Sequence, residues 1–179
     1  MSLLVTGFGP FLDVSDNPSA QLAERAPSAH QIIEVSFRAV DDFLDQLAVR
    51  PPTELLSIGV ATSASQLRFE TVAHNRIGPT PDVLGEVWGP GPIDPAGPPM
   101  RAGTLWMPEW LEESELSIPS TDAGGYLCNY LYFQALTRLP HTRVGFLHVP
   151  PPERVELSIQ EDFVAALCQA ISQESEGMS

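Results

Sequence analysis

The chain has 179 residues, 43% of them apolar and 18% charged, a balance that suits one folded domain over 1–179 and argues against disorder. Nine basic residues stand against 23 acidic ones, a formal net charge of -14 that repels phosphate backbones and anionic headgroups, so neither a nucleic-acid nor a membrane partner is expected. The two cysteines, Cys128 and Cys168, make no disulfide framework, and with four scattered His they give no metal-ligand spacing, so no metal or cofactor is expected.

Along the chain, residues 2–6 read as a buried strand that runs into the loop GFGPFLDVSDNPS, with no leader segment ahead of it and a cytoplasmic location implied. Asn17, Pro18 and Ser19 read as a helix start, and a short helix is expected to about Arg25. Residues 32–38 alternate as a strand does. Val40, Phe43, Leu44 and Leu47 mark an amphipathic helix over 40–49, stopped by Pro51 and Pro52. Strands are expected over 54–61 and 67–75. Residues 78–100 hold seven Pro and five Gly and read as a long surface loop, either a functional cover or a mobile segment. A weak helix in WMPEWLEESE and a short strand in ELSIPS come next. A helix buried nearly all round is expected over 123–138, then a strand over 143–150. Val155, Ile159, Phe163, Leu167 and Ile171 suggest a C-terminal amphipathic helix whose last residues fray. Strands alternating with helices predict an α/β sandwich around a mostly parallel sheet.

Three residues could carry chemistry. Ser120, Thr121 and Asp122 are candidate caps for the helix that holds Cys128, and a thiol in a first helical turn is favoured as thiolate by the positive helix end. Its alternative is a small apolar residue packed in a buried helix. Cys168 lies mid-helix with no cap nearby and reads as packing only. His148 closes a strand just before a proline, where open α/β sheets place ligands, and could exchange a thiol proton; otherwise it is a core histidine. Glu70 breaks an apolar strand pattern, either to orient a histidine or because it lies on the solvent face of an edge strand.

Four segments, in order along the chain, together resemble the pyroglutamyl peptidase I family, also called pyrrolidone-carboxylate peptidases. VTGFGPF followed by NPS is similar to its GFxPF…NPS opening. FETVAHN resembles its ERVAIN strand, DAGGYLCNYLYF its AGTxxCNxxFY segment, and GFLHVP its GFxHxP segment. The resemblance implies a three-layer α/β/α sandwich with a central twisted, mixed sheet. It implies removal of an N-terminal pyroglutamyl residue from small peptides with a blocked N-terminus, without metal or cofactor. By position, Cys128 becomes the nucleophile, His148 the base and acid, and Glu70 the residue that holds His148. Phe8 and Phe11 match the aromatic pair around the lactam ring, with core packing under the first loop as their alternative, and Asn17 and Arg76 are further substrate-binding candidates. A homo-oligomer is implied on the same ground alone.

The chain departs from the family in places. GVATSAS stands where the family has GQAGGR, which puts Val60 at the Gln position. The segment after VAHN is shortened, and PEQ is reduced to PPPERVE. These losses touch substrate recognition more than the Cys128, His148 and Glu70 set. They keep open a diverged relative that hydrolyses another small amide, and a non-catalytic binding member. With a valine at that position, turnover of pyroglutamyl amides is expected to be weaker and less selective than in typical members.

Overall fold

The computed structural model describes residues 3–11 and 16–177. Positions 12–15 of the first loop, residues 1 and 2, and the expected frayed end at 178–179 lie outside the described residues. In chain order the elements are β1 (Leu3–Phe8), α1 (Pro18–Arg25), β2 (Ala29–Ile33), α2 (Phe37–Val49), β3 (Glu54–Val60), β4 (Leu67–Glu70), β5 (Val72–His74), β6 (Met100–Ala102), β7 (Ser117–Ser120), α3 (Leu127–Arg138), β8 (Arg143–Val149) and α4 (Leu157–Gly177). A single 3₁₀ turn, Pro108–Leu111, stands where the weak helix was expected.

Six strands form one sheet in the order β2-β1-β3-β8-β4-β7. The first four run parallel, β4 runs antiparallel to β8, and β7 runs parallel to β4. This is the mixed, mostly parallel sheet that the alternation predicts. The central strands β3 and β8 are buried on both faces, which is why ELLSIGV and RVGFLHV read as near-continuous apolar runs. Alternate side chains serve opposite faces. Phe8, Leu55, Val144 and Phe146 pack with Val40, Phe43, Leu131 and Phe133 of α2 and α3. Leu3, Val5, Leu56, Ile58, Leu147 and Val149 pack on the other face with Leu22, Val164, Leu167 and Ile171 of α1 and α4. Three layers result.

Several boundaries move for local reasons. Asn17 caps α1 as expected, its side chain accepting from the Ser19 N–H at 3.0 Å. Ser36 caps α2 by accepting from the Ala39 N–H at 3.2 Å, and the Asp82 carboxylate accepts from the Phe37 N–H at 3.1 Å. These two caps start the helix at Phe37, so the strand expected over 32–38 ends at Ile33. The strand expected over 67–75 breaks at Thr71, whose N–H and hydroxyl both donate to the Ser120 carbonyl at 2.7 and 2.9 Å. Beyond that break β5 pairs with β6, antiparallel, in a separate two-stranded ribbon. The C-terminal stripe also shifts. A strict four-residue spacing drifts about 40° per step around a helix, so Ile159 is exposed at one end while Leu167 and Ile171 are buried at the other.

Residues 78–99 contain no helix or strand, only an isolated bridge between Ile77 and Gly91. The segment stays out of the main sheet, as its prolines demand. It is nevertheless anchored. Asp82 is buried and accepts from the N–H groups of Leu84 and Glu86, both at 2.9 Å. Trp88 stacks on Phe37 with ring centroids 5.2 Å apart.

The first strand meets α1 at Gly7. A Cβ there would sit 2.2 Å from the Ser19 carbonyl oxygen, a backbone atom that cannot yield without moving the helix. Gly7→Ala is therefore expected to destabilise the fold by about 1–3 kcal/mol through overpacking, read as a lower urea midpoint with an unchanged slope. A wild-type midpoint in that variant would contradict this packing.

Candidate active site

Glu70 closes β4, between β8 and β7, and has no exposed surface. It is therefore neither on an edge nor facing solvent. In the antiparallel pairing Glu70 lies opposite Phe146 and Arg68 opposite His148. Residues two apart share a face, so Arg68, Glu70, Phe146 and His148 belong to the face covered by α3. There the His148 Nδ1 and Glu70 Oε1 are 2.8 Å apart. Two donors fix the Glu70 backbone: Trp106 Nε1 and the Tyr132 hydroxyl each reach its carbonyl at 2.8 Å. Its second carboxylate oxygen, Oε2, is buried with no partner among the described residues. Such a group is costly to bury unless a charge faces it.

Cys128 is the second residue of α3. The expected caps do not cap it. The helix begins after Tyr126, which makes no side-chain capping bond, because Gly124 turns the chain at φ +86° and delays the start. Asp122 instead accepts from the Gly124 N–H at 2.9 Å and pairs with Arg76 at 2.6 Å. First-turn N–H groups of a helix have no intrahelical acceptor. Among the described residues no side chain caps this helix end, so those beside Cys128 are available to an anion. The thiol reaches the sheet over Gly59, the residue of β3 paired with His148. A Cβ at Gly59 would lie 2.7 Å from the Cys128 sulfur and 2.9 Å from Phe146 Cζ.

The imidazole of His148 is buried, and burial on its own would lower its pKa. The charge of Cys128 and its hydrogen bond to the ring, followed by the bond and charge of Glu70, outweigh burial and raise the value to about 9. Thiol, imidazole and carboxylate thus form one chain of contacts. Cys168 has no such setting; burial pushes its thiol up to about 11.

Two cavities flank Cys128. The first, about 140 Å³, is walled by Phe8, Phe11, Val35, Val60, Tyr126 and Leu127, with Asn17 and Thr62 as its polar members. The second, about 270 Å³, holds His148, Arg68, Ser63, Asp122 and the Gly124–Gly125 turn. Phe8 and Phe11 lie together in the first cavity, although Phe8 is also part of the core. Asn17 lines it with its amide already engaged, donating to the Gly9 carbonyl at 2.9 Å while capping α1. Arg76 is not among the residues that line either cavity; it is half-exposed against Asp122.

Other residues went unread in the sequence. Asn129 is fully buried, accepting from the His74 N–H at 2.9 Å and donating to the carbonyls of His74 and Arg76 at 2.8 and 2.9 Å. It ties the start of α3 to β5. An amide inside an otherwise apolar helix was the available signal. Arg68 and Thr62 gave none, since an isolated polar residue in a strand or turn is ordinary.

The sequence model of the pyroglutamyl peptidase family matches residues 1–173. The chain belongs to that family. It is a cysteine-type hydrolase. It is 32% identical over 170 residues to pyrrolidone-carboxylate peptidase 2 of Caldanaerobacter subterraneus subsp. tengcongensis, covering 84% of this chain and 81% of that one. With the pyrrolidone-carboxylate peptidase of Levilactobacillus brevis it shares 32% over 177 residues, 87% and 85% of the two chains. The crystal structure of pyrrolidone carboxyl peptidase from Thermus thermophilus superposes with a TM-score of 0.79 at 32% identity, covering 92% of this chain and 98% of that one.

Charge at this candidate site sets how it responds to pH. The raised pKa means that His148 carries its proton through neutral pH and releases it near 9. Stability from its charged contacts is then fully present below the ordinary histidine value of about 6.5 and is lost as pH rises through the folded value. An NMR titration of the His148 ring is expected to show a midpoint near 9, and Cys128→Ser or Glu70→Gln should each lower it, since burial then acts with less opposition. A midpoint unmoved by both substitutions would contradict the contact chain.

Proposed function

We propose that Cys128, His148 and Glu70 remove an N-terminal pyroglutamyl residue from peptides by acyl transfer. The observation that carries the reading is the buried 2.8 Å contact between Glu70 and His148, with Cys128 as the imidazole's other hydrogen-bonding neighbour. Glu70 engages Nδ1, which leaves Nε2 for proton exchange with the substrate.

The sulfur attacks the scissile carbonyl carbon, and negative charge moves onto its oxygen. The N–H groups at the uncapped start of α3 stabilise that charge. As the C–N bond breaks, His148 gives its proton to the departing amine, leaving a thioester on Cys128. His148 then takes a proton from water as it attacks the thioester. Pyroglutamate leaves and the thiol is restored. Glu70 holds the ring in orientation throughout and balances its positive charge.

The apolar cavity beside Cys128 suits a flat five-membered lactam set between Phe8 and Phe11. Its weakness is polar: Val60, a cavity wall, offers neither donor nor acceptor to the lactam N–H and carbonyl. Among the described residues, Thr62 is the polar side chain of that wall not already engaged, since the Asn17 amide is bonded within the fold. Slow, modestly selective turnover follows from that wall. A cytoplasmic setting and a homo-oligomer belong to the same reading, carried by the family likeness.

Steady-state kinetics on a pyroglutamyl fluorogenic amide test it. Cys128→Ala and His148→Ala should each lower kcat/KM by at least about 10³-fold. Val60→Gln should raise kcat/KM for the pyroglutamyl amide and sharpen its preference over prolyl amides. Fast, selective wild-type turnover that Val60→Gln leaves unchanged would refute the pocket reading. No turnover, with Cys128 still readily alkylated, would favour a different small amide.

A further inference from the structure

We propose that Arg68 is a specificity-determining residue that binds a carboxylate carried by the leaving group, so that the site prefers an acidic residue, or a free C-terminus, directly after the scissile bond. The inference rests on the hydrolase reading above and adds the chemistry of the second half of the substrate.

The two cavities have different jobs because His148 lines only one of them. The proton that frees the leaving amine comes from His148, so the leaving group must lie on the His148 side of Cys128. The apolar cavity then takes the acyl part, and the more polar cavity takes the part that departs. Arg68 lines that second cavity. It pairs in register with His148 and shares a sheet face with Glu70, two residues away. Its side chain therefore starts one strand over from the group that protonates the leaving nitrogen.

Arg68 is also uncommitted. Arg25, Arg38, Arg76 and Arg138 each pair with an acid. Arg68 is half-buried and makes no ion pair, side-chain hydrogen bond or ring contact with the described residues, in a chain with 23 acids against nine bases. The acid closest in role, Asp122, lines the same cavity but is taken by Arg76 and the Gly124 N–H. A planar guanidinium on a cavity wall, free of protein acids, is suited to forked recognition of a carboxylate. A partly enclosed charged hydrogen bond of this kind is worth about tenfold or more in kcat/KM.

The test holds the pyroglutamyl group constant and varies the leaving group. Pyroglutamyl-alanine carries a free α-carboxylate, pyroglutamyl-aspartyl amide a side-chain carboxylate, and pyroglutamyl-alanine amide neither. For each enzyme the readout is the kcat/KM ratio of each acid to the neutral amide, so partial loss of folded enzyme cancels. In the wild type at least one acid should be preferred by about tenfold, and which one identifies the carboxylate that Arg68 meets. Arg68→Gln should bring that ratio down by the same factor, Arg68→Lys should restore part of it, and Arg68→Glu should invert it. High salt should shrink the wild-type preference. A wild-type ratio no higher than that of Arg68→Gln would overturn the inference while leaving the hydrolase reading intact. No turnover of any of the three, with Cys128 still alkylated, would overturn both.

Discussion

A carboxylate with no exposed surface, held against an imidazole on the next strand, is the contact on which the rest of the site depends. Burying Glu70 in the middle of a sheet is unfavourable unless a positive charge faces it. His148 supplies that charge, and Cys128 first, then Glu70, raise the pKa of the ring against the effect of its burial. The sheet is arranged around this requirement. The antiparallel pairing of β4 with β8 sets Glu70 opposite Phe146 and within reach of His148, and this is where the sheet departs from its parallel pattern. Trp106 and Tyr132 then lock the Glu70 backbone from two other elements.

The Cys128 thiol, the proposed nucleophile, is positioned by a separate constraint, the close seating of a helix end on the sheet. Gly59 leaves room for the Cys128 sulfur, and a single added carbon would occupy that space. Asn129 uses its whole amide to hold the helix start on β5, so the neighbouring thiol is positioned by a buried polar group rather than by a cap. The missing cap has its own consequence. A capping side chain would compete for the first-turn N–H groups that an oxyanion needs. The helix gives up about 1 kcal/mol of capping stability and keeps an anion site beside its thiol.

Much of this was legible in the chain, for identifiable reasons. The buried strands β3 and β8 stood out because strands covered on both faces are apolar throughout, and the pairing of Cys128, His148 and Glu70 followed from family likeness. What escaped was set by tertiary contact. The break at Thr71 depends on a carbonyl at Ser120, 49 residues away, and local pattern cannot contain it. The late start of α3 depends on a positive φ at Gly124. Before folding, Ser120, Thr121 and Asp122 looked like better caps than Tyr126. Arg68 was silent because its meaning comes only from the strand it faces.

The central claim is that Cys128 attacks a pyroglutamyl carbonyl. Pyroglutamyl chloromethyl ketone, mapped by intact-mass and peptide mass spectrometry, tests it most directly. The account predicts a single adduct on Cys128, formed much faster than with the prolyl analogue and abolished in His148→Ala. An adduct on Cys168 or elsewhere, or equal rates with the two reagents, would contradict it.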